Sequence, residues 1–117
     1  DAAPVEQLKI TKDGRGLSQF TAKAWINFDG TGTIAIRDSH NVSSIVDNNV
    51  GQYTTNWSNA MANGSYSCVA SCPTNNTGGS VGGCYATATT SASHEFRICS
   101  TQASGDQNRV YVIAFGD

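Results

Sequence analysis

Charge is scarce in this chain: seven basic and nine acidic residues among 117, for a net charge of −2. No run of Lys or Arg occurs, so the electrostatic footprint of a nucleic-acid binder is missing. Long apolar runs are missing too. Nothing approaches the roughly 20 residues that span a bilayer as a helix, so no membrane insertion is expected. Carboxylates are sparse, and none are paired closely enough in sequence to suggest a glycosidase. His40 and His94 form neither an H-x-H nor an H-E-x-x-H pattern, which leaves a metal site without support. No G-x-S-x-G elbow is present. The stretches "GTG" at 30–32 and "GGSVGG" at 78–83 lack the Lys-Ser/Thr and the strand–loop–helix context of a phosphate loop. A triad of Asp38, His40 and some Ser carries no weight where Ser is this common. No catalysis, no metal and no cofactor are therefore expected. Helical periodicity never lasts beyond two turns, and proline occurs only twice.

What the chain has instead is 25 Ser and Thr, 12 Gly and 10 Asn. That composition suits short strands joined by polar turns. Val, Ile, Phe, Tyr and Trp recur in regular clusters, which separates the chain from disordered sequences. Its length suits one small domain with a single core. Residues 1–20 show no clean period and read as a linker or connector to an upstream shaft. Residues 21–117 read as the folded domain.

Within that domain the apolar positions alternate. "TAKAWINF" places Ala22, Ala24, Ile26 and Phe28 on one face and Lys23, Trp25 and Asn27 on the other. "DGTG" is a hairpin signal, and "TIAIRD" returns with Ile34 and Ile36 on one face. "NVSSIV" predicts a third, shorter strand, followed by the turn cluster "DNNVG". "QYTTNW" sets Tyr53, Thr55 and Trp57 against Gln52, Thr54 and Asn56. "SYSCVAS" puts Tyr66, Cys68 and Ala70 on one face. "CYATATT" and "HEFRICS" flank the turn "SAS", and "RVYVIAF" closes the domain. The expectation is all-β: a small antiparallel sandwich of seven to eight short strands, mostly neighbours linked by tight turns.

Two of these strands are apolar on both faces. A sandwich strand needs one buried face, and the other can be wet. In "RVYVIAF" the second face carries Tyr111, Ile113 and Phe115, and in "AKAWINF" it carries Trp25. Either the N-terminal segment covers this face or another subunit does. Exposed strips of this kind mark contacts, so Trp25, Tyr111, Ile113 and Phe115 are assigned to a subunit interface.

The four cysteines, Cys68, Cys72, Cys84 and Cys99, allow three pairings, and sequence does not choose among them. Only one spacing is short, unlike the two tight pairs of zinc ribbons. Disulfides or buried thiols rank above a metal. A Cys72–Cys84 disulfide would staple the ends of the loop "PTNNTGGSVGG" and would require an oxidising environment. That loop and Tyr85 are the candidates for an exposed binding surface, since binding usually sits on loops held by a rigid scaffold. Asn75, Asn76 and Thr77 supply hydrogen-bond groups suited to hydroxyls. The N-x-[ST] sequons at Asn41, Asn56, Asn63 and Asn75 are explained by composition.

The run "KAWINFDGTGTIAIRDSHNVSSIVDNNVGQYTTNWSNAMANGSYS" resembles the C-terminal module of bacteriophage tail fibres and related virion proteins. The shared positions are Lys23 to Phe28, Gly30 to Arg37, Ser39, Asn41 to Ile45, Asp47, Asn48, Gly51, Tyr53, Thr54 and Asn56. Trp57 stands where the family usually has Phe. The final "VYVIAFGD" is similar to the family's C-terminal end. The match is close over residues 22–67 and loose elsewhere, and the four cysteines and the long Gly-rich loop depart from the family. The resemblance implies a virion protein, a lectin-like tail-fibre tip that assembles as a homotrimer. Its implied partners are other virion proteins and a host surface glycan or protein. Two other readings stay open: a purely structural trimerisation or joint module with no ligand, and a secreted, disulfide-stapled lectin-like domain.

Overall fold

Alternation along the chain becomes eight strands: β1 (Ala24–Asp29), β2 (Ala35–His40), β3 (Val42–Asn49), β4 (Gln52–Trp57), β5 (Ser67–Ser71), β6 (Val81–Thr89), β7 (Ser93–Ser100) and β8 (Val110–Phe115). The structure is a computed structural model that describes residues 21–72, 81–100 and 106–116. The expected linker at 1–20 and the candidates Asn75, Asn76 and Thr77 lie outside the described residues. No helix occurs among the described residues.

The strands form two antiparallel four-stranded sheets. Sheet I has the order β2-β1-β8-β5, and sheet II has the order β3-β4-β7-β6. Their inner faces supply the core. Sheet I contributes Ala24, Ile26, Phe28, Val110, Val112 and Ala114, and sheet II contributes Tyr53, Trp57, Phe96 and Ile98. Phe28, Tyr53 and Phe96 pack as an aromatic trio across the two sheets, with centroids 5.0, 6.3 and 5.9 Å apart. Each such side chain contributes about 1.5–3 kcal/mol by leaving water.

The expectation that neighbouring strands are mostly joined by tight turns needs correction. Three connections are hairpins: β1–β2, β3–β4 and β6–β7. The connections β2→β3, β4→β5, β5→β6 and β7→β8 all pass from one sheet to the other. The sharpest of these is a single residue, Asn41, between β2 and β3. Its φ is 56°, in the left-handed region that Asn tolerates better than most residues.

Strand β3 is longer than the "NVSSIV" expectation. It runs on through Asp47–Asn49, and the turn shrinks to Val50 and Gly51. Gly51 has a φ of 68°, and its N–H donates to Asp106 Oδ1 at 2.9 Å. Ile34, just before β2, and Ile36 on it do not share one environment. Ile34 packs against the core, whereas Ile36 is 41% exposed. β2 is an edge strand, and a bulge opposite Asn27/Phe28 shifts its register.

Candidate functional site

The outer face of sheet I is a row of apolar side chains crossing three strands. Trp25 on β1 pairs with Ile113 on β8, and Ile113 pairs with Val69 on β5. Paired residues share a face, so the three side chains stand side by side. Phe115 and Tyr111 flank Ile113 along β8. Val69, Ile113 and Phe115 are 63%, 37% and 36% exposed, and Trp25 and Tyr111 are half-buried. The structure thus brings the four interface candidates together on one surface. It adds Val69, which sequence reading passed over because only the Tyr66–Cys68–Ala70 face was followed. The strict period of two on β5 was the signal that could have found it.

Charge on this face sits at the margin. Asp38 and His40 lie on the edge strand β2, opposite Asn27 and Trp25. Asp29 closes the β1–β2 turn, accepting bonds from the Thr31 hydroxyl at 2.6 Å and the Thr31 N–H at 2.9 Å. Those bonds, the hydroxyl first, hold its carboxyl below the usual range, and Arg37 pairs with it at 3.2 Å. Near the centre, Asn27 Oδ1 is buried with no hydrogen-bond partner. Asn27 pairs with Tyr111, so this orphan acceptor borders the apolar row.

The outer face of sheet II is mostly polar, with Val46 on β3 exposed beside Thr54. Tyr85 on β6 pairs with Arg97 on β7, which pairs with Gln52 on β4. Tyr85 is 47% exposed. Glu95, two residues from Arg97, accepts bonds from Gln52 Nε2 at 2.6 Å and from the Thr87 hydroxyl at 2.7 Å. The Thr87 bond first, and the Gln52 bond second, hold the Glu95 carboxyl below the ordinary range. Asn48 Nδ2 donates to the Thr54 hydroxyl at 2.6 Å on the same face. The result is an aromatic side chain at the edge of a fixed array of amide, hydroxyl, carboxylate and guanidinium groups. Such an array can hold a polyhydroxylated ligand by hydrogen bonds, with Tyr85 packing against its apolar ring face. Sequence reading named Tyr85 alone. Gln52, Thr87 and the pair Glu95 and Arg97 come from three separate strands, and only the register assembles them.

The remaining polar groups are structural. Tyr53 Oη lies 2.8 Å from Asp106 Oδ1 and 3.2 Å from the Gly30 carbonyl. Burial, then the Asp106 bond, pushes its hydroxyl well above the ordinary range. The Trp57 indole N–H donates to Tyr66 Oη at 3.0 Å, and Tyr66 Oη donates to the Ser93 carbonyl at 2.9 Å. His94 is buried, stacked on Phe96 at 5.9 Å, with Nδ1 3.1 Å from the Thr89 hydroxyl. Among the described residues no group of three or more His, Cys, Asp or Glu is placed to hold a metal ion.

Cys72 and Cys84 meet near the end of the sandwich where β5 stops and β6 runs. Their thiols are in hydrogen-bonding contact, and both pack against the core. No family model, no curated protein and no solved structure matches this chain.

Proposed function

We propose that this chain is a virion structural module, the tip of a bacteriophage tail fibre. In this reading it assembles as a homotrimer through the outer face of sheet I. It contacts a host surface glycan or protein with the outer face of sheet II. The observation that carries the assembly is the Trp25–Ile113–Val69 row with Phe115 and Tyr111 beside it. An apolar strip crossing three adjacent strands is what a subunit interface looks like before its partner is in place. The centre of the strip carries no charge, so identical copies can bring it together without like-charge repulsion. The resemblance of residues 22–67 to fibre tips supports the number three and the virion setting. The two surfaces lie on opposite sides of the sandwich, so assembly on one leaves the other free. Three copies of a weak site on one fibre raise its avidity.

The test is native mass by light scattering after size-exclusion chromatography, followed by adsorption to host cells. Wild type is expected at three chain masses. Ile113→Asp is expected at one chain mass with an unchanged far-UV spectrum. Tyr85→Ala and Arg97→Ala are expected to stay trimeric and to lose adsorption by tenfold or more. A monomeric wild type overturns the assembly. Unchanged adsorption by both trimeric variants overturns the ligand surface and leaves a structural cap.

A further inference from the structure

We infer that Cys72 and Cys84 are a disulfide-forming pair that joins the end of β5 in sheet I covalently to β6 in sheet II. The two thiols already touch through a hydrogen bond. They reach that position from different sheets, at one of the four connections that cross the sandwich. Residues 73–83 lie between them, so the bond closes that segment into a covalent loop anchored at both ends. Sequence left three pairings open, and the fold selects among them. Cys68 lies on β5, four residues before Cys72, about 13 Å away along extended chain. It therefore cannot occupy the place of Cys72 beside Cys84. Its thiol is also pushed up to about 12 by burial, which leaves little thiolate to react. Cys72 is less deeply placed, and its contact with Cys84 works against the effect of burial.

The chemistry needs an oxidant, and a small-molecule disulfide such as oxidised glutathione serves. One protein thiolate attacks it, forms a mixed disulfide and expels one glutathione thiolate. The second protein thiolate attacks the protein sulfur of that mixed disulfide and expels the other. Two protein thiols are oxidised, one glutathione disulfide is reduced, and two protons leave with the two glutathione thiols. An extracellular particle meets such oxidising conditions, whereas the cytosol keeps thiols reduced.

The experiment takes the full chain, fully reduced, and exposes it to oxidised glutathione. Intact mass and a non-reducing peptide map are read, and melting is followed with and without reductant. The expected result is the loss of two hydrogens and a peptide linking Cys72 to Cys84. The melting midpoint should rise on the order of 10 °C, reversed by reductant. Cys72→Ser and Cys84→Ser should each abolish the rise, and Cys68→Ala should keep it. A map joining either residue to Cys68 or Cys99, a bond between two chains, or thiols that stay free in folded protein would each overturn the inference.

Discussion

Replacing Asn41 separates two contributions to the corner of the sandwich. The residue stands alone between β2 and β3 with a φ of 56°. Its Nδ2 donates to the carbonyls of Lys23 at 3.2 Å and Asn59 at 3.0 Å. Its Oδ1 accepts from the Asn59 N–H at 2.8 Å and from Asn59 Nδ2 at 3.2 Å. The side chain thus ties the corner to the start of β1 and to the loop after β4. Each such bond is worth about 1 kcal/mol net, and partial exposure lets water replace some of it. Taking two of the four as effective gives about 2 kcal/mol for the side chain. The left-handed conformation adds about 1 kcal/mol for a residue with an ordinary Cβ. Asn41→Ala loses both terms and should cost about 3 kcal/mol, a fall in melting midpoint on the order of 15 °C. Asn41→Gly accepts the φ and should cost about 2 kcal/mol. Urea unfolding followed by fluorescence of Trp25 and Trp57 reads both variants. Equal losses for Ala and Gly would refute the backbone contribution. Losses under about 0.5 kcal/mol in both would refute the whole account, because they are the size of ordinary surface substitutions.

Other substitutions test the interior. Gly30→Ala drives a Cβ against the Tyr53 ring, 2.7 Å from Cζ, and should cost about 3 kcal/mol by thermal melting. The same change in a Tyr53→Phe background should cost less, since the hydroxyl is part of the collision. Thr55→Val removes a buried hydroxyl that has no partner and should raise the urea midpoint by about 1 kcal/mol of stability; a lower midpoint would show the hydroxyl to be satisfied. Burial lowers the pKa of His94 in the folded state, so the unfolded chain binds the proton first as pH falls. Stability should therefore hold above about pH 6.5, the ordinary histidine value, and decline below it by at most about 1.4 kcal/mol per pH unit. His94→Gln should flatten that decline in melts between pH 8 and 5, and an unchanged slope would assign it elsewhere.

Much of this protein is written in its period of two. The alternation set apart the faces Ala24–Ile26–Phe28 and Tyr53–Thr55–Trp57, and these are the faces the fold buries. Burial follows alternation, and alternation is local. The doubly apolar character of β8 was legible for the same reason, and it led directly to Trp25, Tyr111, Ile113 and Phe115. Sheet order was not legible. β8 lies between β1 and β5, and β7 lies between β4 and β6, because the chain changes sheets at four connections. Pairing between distant segments depends on which faces bury each other, and no local pattern encodes that. This is why Val69 joined the apolar row only in three dimensions. It is also why Tyr85 acquired Arg97, Gln52 and Glu95 as neighbours, and why Cys84 met Cys72. Local side-chain chemistry set which surfaces would be apolar and which polar. Tertiary packing alone decided which residues would share them.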